Sequence, residues 1–340
     1  MRRSAAARAA LAVAVLVPVV VVAAIVGLST GAGSLSLRAA LQGREPDATV
    51  LFRLRVPRVL LAAEVGAALS VAGVALQALL RNPLADPFVF GLSGGAAIGT
   101  AVVTVASGTA VGAAAASAAS FAGLLPTQLA AVAGAMAAAL LVFTLGRARG
   151  NLDPARALLV GVVFNSFASA LVLSVEALLR PDQMQAVSLW LAGSLGYEAM
   201  PLLTGAGIAL LLPALVLLAL AGRMNLLALG DEGASALGVD VGRTRLLAFF
   251  AASAAVGIAV AFTGLVGFVG LIVPHAVRLL TGPDHRVVLP ASALGGAAFL
   301  VLADALARVL FRGLGAEPPV GAVTAIVGAP LFVLLMRSRQ

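Results

Sequence analysis

Long apolar runs broken by short polar punctuation dominate this 340-residue chain. A membrane-spanning helix needs about 20 mainly apolar residues. Ten segments meet or approach that length, at roughly 11–28, 59–79, 90–108, 127–146, 156–178, 200–221, 244–263, 266–281, 288–308 and 319–336. Only the TGLVG stretch divides the seventh from the eighth, so a nine-helix count stays open. The pattern predicts an all-α integral membrane protein of about ten helices, with one transmembrane domain over residues 1–340. The first run, Leu11 to Leu28, exceeds the ~7–15 apolar residues of a secretory leader. It reads as the first spanning helix, with Arg2, Arg3 and Arg8 holding its start in the cytoplasm.

Composition strengthens this picture. The chain is 61% hydrophobic and 11% charged, with a mean hydropathy of +1.11. Soluble domains carry about 25% charged residues, so too little polar surface is left to cover a globule in water. All 22 basic residues are arginine. The net charge of +8 is spread over short loops and forms no basic tract with interleaved aromatics, which gives nucleic-acid binding no support. The absence of cysteine excludes disulfides, thiolate metal sites and cysteine nucleophiles.

Arginine placement tests the topology. With the N-terminus inside, 14 of the 22 arginines fall on the cytoplasmic side, as the positive-inside rule expects. The outer eight are Arg38, Arg44, Arg53, Arg55, Arg58, Arg180, Arg308 and Arg312. RLRVPR (53–58) concentrates three of them where few are expected. They either snorkel to outer-leaflet phosphates or receive an acidic partner, and the residues alone weigh these readings evenly.

Within the runs, Gly66, Gly73, Gly264, Gly267, Gly270 and the GLSGGAAIG segment supply small surfaces for close helix packing. GGAAIG follows no strand, so it is no nucleotide fingerprint, and no G-x-x-x-x-G-K-[ST] occurs. Any ATP must be bound by another chain. Few ionisable groups interrupt the spans. Glu64, two turns into the second segment, is the one candidate for an ion-coupled carrier. Asp304 and Arg308, four apart, share a helical face as a local pair.

The longest hydrophilic cytoplasmic stretch is residues 222–245. Inside it, LGDEGASALGV (229–239) predicts a short exposed helix. Asp231 and Glu232 suit its N-terminal dipole end, Ala234, Leu237 and Gly238 form a small smooth face, and Gly238 stops it. Such a face invites a protein partner. RNPLADPFVFG (81–91) reads as a rigid turn: Pro83 and Pro87 extend the residues before them, and Asn82 and Asp86 cap nearby backbone. His275 and His285 lack the three or four converging ligands of a metal site, and no nucleophile–base pair points to catalysis. His275, Arg278 and the bend at Pro274 mark the inner end of the eighth segment.

Several of these stretches, in this order, resemble the FecCD-type permease subunits of binding-protein-dependent ABC importers for iron–siderophores, haem and cobalamin. They are RVPR (55–58), residues 66–99, LGDEGASALGV, residues 267–308 and PPVGAVTAIVGAPLFVLL (318–335). The EPPVG segment departs from the family's Glu-Leu-Pro. The resemblance implies the type II importer permease fold, a bacterial inner-membrane location with both termini cytoplasmic, and a homodimer or a pairing with a paralogue. It implies a partner ATP-binding subunit carrying ATP and Mg²⁺, and a periplasmic or lipid-anchored solute-binding protein. Gly230, Asp231, Glu232, Ala234, Leu237 and Gly238 would form the ATPase contact. Arg55, Arg58 and Arg308 would receive acids of the binding protein, and Asn165 and Ser166 would line the pathway. The chain itself would bind no cofactor or metal and carry no catalytic residue. A ferric siderophore is the cargo implied first, with haem or cobalamin as the alternative.

Overall fold

The computed structural model describes residues 5–31, 35–82, 84–107, 126–148, 151–310 and 318–337. Arg2, Arg3, Pro83, Arg149, Arg312, Glu317 and Arg339 lie outside the described residues. Helices occupy each of the ten apolar segments: α1 (Ala5–Ser29), α2 (Val56–Leu80), α3 (Leu92–Ser107), α4 (Pro126–Leu145), α5 (Pro154–Glu176), α6 (Met200–Leu227), α7 (Val241–Thr263), α8 (Val269–Thr281), α9 (His285–Leu310) and α10 (Val320–Arg337). Among the described residues, seven helical stretches are long and apolar enough to cross a bilayer, and α3, α8 and α10 are shorter. A two-residue antiparallel pair, β1 (Arg147–Ala148) and β2 (Asn151–Leu152), joins α4 to α5.

α2 forms the axis of the bundle. It packs against α6, α7, α8 and α9, while α1 lies along the outside of α9. Lipid supplies no hydrophobic drive between helices, so close backbone approach must hold them together. A side chain at Gly66 would strike the Gly296 carbonyl of α9, and one at Gly73 would strike the Gly270 carbonyl of α8. Gly95 of α3 meets Gly134 of α4 in the same way.

Two features escape the apolar pattern. Before α2 the chain winds through a wider turn, Val50–Arg55, in which Val56 N–H bonds to the carbonyl of Leu51, five residues back. A further helix, Pro181–Leu191, lies between α5 and α6. Pro181 occupies its first turn, and the Gln183 side chain accepts from the Arg180 N–H.

The seventh and eighth segments are separate helices. α7 ends at Gly264, whose φ of +66° suits glycine and whose absent side chain leaves room for the Trp190 carbonyl. Phe268 then takes a φ of +69° before α8. The hinge is held by neighbouring chain: Ser194 N–H donates to Thr263 O at 2.8 Å, and Gly321 N–H donates to Gly193 O at 3.0 Å. At 13 residues, α8 is only about 20 Å long at 1.5 Å per residue.

Candidate functional site

The ends of α2, α6 and α8 and the starts of α1, α7 and α9 share one end of the bundle, and a small knob projects there. Its helix, Asp231–Ala236, begins after Gly230 (φ +97°) and is followed by Gly238 (φ +81°). Asp231 and Glu232 occupy the first turn, where they complement the helix dipole. Ala234 is fully buried against Leu227, Val239 and Val241, so it belongs to the knob's own core and not to the outward face expected for it. An inward-facing small residue lets the short helix sit against the ends of α6 and α7. The outward apolar surface consists instead of Leu237, 60% exposed, and Leu229, 62% exposed, beside exposed Glu232 and Gly238.

Asp231 also turns back towards the bundle. Its carboxylate accepts from Arg245 of α7 through Nη1 at 2.9 Å and Nη2 at 2.8 Å, and it pairs with Arg81 at the end of α2. Arg81 Nε donates to Leu227 O at 3.0 Å, and Arg245 Nη1 to Leu152 O at 3.3 Å. One carboxylate thus ties the knob to the central helix and to α7.

At the opposite end, Arg55, Arg58 and Arg308 are not the open surface that the sequence suggested: they are 5%, 4% and 7% exposed. For Arg58 and Arg308 the reason is Asp304, 1% exposed and placed between them. Arg58 donates to Asp304 Oδ1 from Nε at 3.0 Å and Nη2 at 2.9 Å, while Arg308 Nη2 lies 2.8 Å from Oδ2. The chain's single tyrosine, Tyr197, accepts from Arg58 Nη1 at 3.1 Å and stacks near its guanidinium. Arg308 also donates to Thr30 O at 2.5 Å and Gly27 O at 3.0 Å, and Arg55 donates to Leu28 O at 2.8 Å. The orphan carbonyls at the end of α1 therefore find their donors in these arginines. Arg38, Arg44 and Arg53 are the exposed cations nearby.

Between the two ends, two adjoining clefts of about 500 and 430 Å³ share Phe88, Gly267 and Phe268. Asn165 and Ser166 of α5 line the larger cleft with Ser169, and Gly321 and Ala325 of α10 line the smaller. Asn165 is also a strut, its Nδ2 donating to Phe88 O at 2.7 Å. Ser166 Oγ bonds back to Val162 O at 3.2 Å. Asp86 caps the Pro87–Phe90 turn by accepting from Phe88 N–H at 2.8 Å. Burial pushes this carboxyl above its ordinary range, against the N–H groups of Phe88 and Phe268 that favour its charge. Nothing in the sequence pattern marked Phe268 or Ser169, because the fold alone brings the α8 hinge against α5.

Glu64 borders an apolar cavity of about 200 Å³ with Gly207 and Leu210 of α6, and among the described residues its buried Oε2 meets no hydrogen-bond partner. Among the described residues no three of His, Asp and Glu converge as metal ligands. His275 packs edge-on to Phe332, and His285 Nδ1 lies 2.7 Å from Asn225 Oδ1.

The model of the FecCD transport family matches residues 17–338. The chain belongs to that family. It is 40% identical to the cobalamin import system permease protein BtuC of Halobacterium salinarum, over 92% of this chain and 81% of that one. It is 36% identical to the ferric enterobactin transport system permease protein FepD of Escherichia coli, over 100% and 98%. A solved metal-chelate type ABC transporter in an inward-facing conformation superposes with a TM-score of 0.81 at 31% identity, covering 96% of this chain and 98% of that one. FecCD proteins of this kind are the membrane-spanning transport components of ABC importers, and the helical architecture described above is theirs.

Proposed function

We propose that this FecCD protein is the permease through which an ATP-driven importer carries a bulky metal chelate, a ferric siderophore in the first instance, across the bacterial plasma membrane. The knob end faces the cytoplasm with both termini. A separate ATP-binding subunit, which alone holds ATP and Mg²⁺, grips the knob. A periplasmic or lipid-anchored solute-binding protein delivers cargo at the other end, and a second copy or a paralogue completes the pathway. The chain supplies no catalytic group and no cofactor site.

The observation that carries this reading is the build of the knob. It offers an apolar face, Leu229 and Leu237, that stays exposed among the described residues, and it is fixed through Asp231 to Arg81 and Arg245. A push on it is transmitted to α2 and α7 rather than absorbed by a loose loop. When the ATP-binding subunits close, the knobs move, the bundles rock about the α7–α8 hinge, and cargo passes the weakly polar clefts beside Asn165 and Ser166. Because Arg55, Arg58 and Arg308 are buried and bonded inside the bundle, docking of the delivering protein falls to exposed Arg38, Arg44 and Arg53.

The knob is tested by Leu237→Asp, which sets a charge into the proposed contact. The ATP-binding subunit should no longer co-purify, while the permease stays monodisperse and helical. Co-purification at the wild-type ratio would refute this use of the knob. The relative named for cobalamin keeps that cargo as a second reading, and uptake of labelled ferric siderophore against excess haem or cobalamin separates them.

A further inference from the structure

Beside the knob lies an open cavity of about 630 Å³ that none of the roles above uses, within the ~300–1,000 Å³ typical of small-molecule sites. Arg8 of α1, Arg81 at the end of α2 and Arg278 of α8 line it, with Asn225, Asp284 and His285. Three guanidinium groups and the Asp284 carboxylate line one space, and Arg81 is shared with Asp231 of the knob. Clustered like charges repel unless an anion joins them.

The groups are held in place. Arg278 Nη1 donates to Gln77 Oε1 at 2.5 Å. Asn225 Nδ2 donates to Asp284 Oδ1 at 2.8 Å, and Asn225 Oδ1 accepts from His285 N–H at 2.9 Å. Arg8 Nη2 meets Asp284 Oδ2 at 3.2 Å, and this exposed pair contributes little by itself.

The surroundings indicate the kind of anion. α1 contributes Arg8 to the lining; farther along it buries only Ala23 and Gly27 and exposes Leu11, Val15, Val22 and Ile25 as a hydrocarbon-facing surface. Arg8 stands about one turn before Leu11, where the exposed apolar surface of α1 begins. A ligand with a phosphate at one end and acyl chains at the other matches both halves.

We propose that this cavity binds the headgroup phosphate of an anionic phospholipid, with its acyl chains along α1. Guanidinium–phosphate pairing supplies the recognition, as in basic pockets between spanning helices. Arg81 also pairs with Asp231 of the knob. A bound phosphate competes for that arginine, so the lipid tunes how firmly the knob is tied to α2.

The full-length permease in a neutral detergent is titrated with short-chain phosphatidylglycerol, short-chain phosphatidylcholine or inorganic phosphate, with bound adducts counted by native mass spectrometry. Phosphatidylglycerol should bind one per chain, and the other two should bind at least tenfold more weakly. Arg8→Gln and Arg278→Gln should each weaken it about fivefold. Asp284→Asn, which removes the competing acid, should strengthen it. That opposite sign cannot come from misfolding, so the test survives if Arg278→Gln proves unstable. Equal binding of phosphatidylcholine, equal binding of free phosphate, or no change in Arg8→Gln and Asp284→Asn overturns the proposal.

Discussion

Asp304→Asn probes how the arginine end of the bundle is built. The substitution keeps the shape of the side chain and removes its charge. In the wild type, Asp304 receives two N–H groups of Arg58 and faces Arg308 Nη2 at 2.8 Å, all three side chains being buried. Without the carboxylate, two guanidinium charges stay inside with neutral groups beside them, among them backbone carbonyls and the Tyr197 hydroxyl. Breaking a buried ion pair from one side costs about 3–5 kcal/mol, because the stranded charge still lacks water. Asp304→Asn should therefore lower the unfolding free energy, read by SDS titration in micelles, by about that amount. Adding Arg58→Gln removes one of the stranded charges. The double variant should thus be less destabilised than the sum of the singles, by about 1 kcal/mol or more. A cost below about 1 kcal/mol for Asp304→Asn, or strict additivity, would mean that the arginines are solvated and available at the surface, as the sequence alone suggested.

Other outcomes follow from the same geometry. Gly73→Val places a branched side chain against the Gly270 backbone, and such overpacking costs about 1–3 kcal/mol or more; a shifted unfolding midpoint and a lower monodisperse yield should report it. Asp231→Asn loosens the knob at a partly exposed site, so it should cost only about 1 kcal/mol of stability yet uncouple ATP hydrolysis from uptake in the reconstituted importer. Wild-type coupling in that variant would count against the lever. Burial raises the Asp284 carboxyl, but the Asn225 side chain, the Arg286 N–H and the charges of Arg8 and Arg286 outweigh it and hold the group below its usual range. Its contribution is therefore complete above the ordinary carboxylate pKa of about 3.9 and fades only as pH falls through the lowered value. Hydrogen-exchange protection around Arg8 of α1, corrected for the intrinsic pH dependence of exchange, should stay unchanged from neutral pH down to mild acid and fall only below it.

How much could be read in advance depended on the range of the interactions. Spans are local, since each run of apolar residues carries its own helix, and the ten runs were visible. The knob's capping acids and closing glycine are equally local, as is the Asp304–Arg308 pair one turn apart. Asn82 and Asp86 cap their turn as their spacing suggested. What was hidden is non-local. Arg58 lies 246 residues from Asp304, so no window of sequence could show that Arg58 and Arg308 share one buried carboxylate. Ala234 turned inward for the same reason: the end of α6 and the start of α7 set which side of a six-residue helix is covered. The Pro181–Leu191 helix is too short and too mixed in character to rise above its surroundings as a span, although Pro181 and Gln183 are its starting signals. Separating α7 from α8 required the backbone of the hinge, since Phe268 is a residue whose type gives no hint of a positive φ.

The central claim is that the chain is a conduit worked from outside through its knob. It is tested most directly by uptake of radio-labelled ferric siderophore into proteoliposomes, with the solute-binding protein present throughout. Accumulation should require both ATP and the ATP-binding subunit and should vanish with Leu237→Asp. Accumulation against a gradient by the permease alone, driven by a pH or sodium gradient and lost with Glu64→Gln, would contradict it.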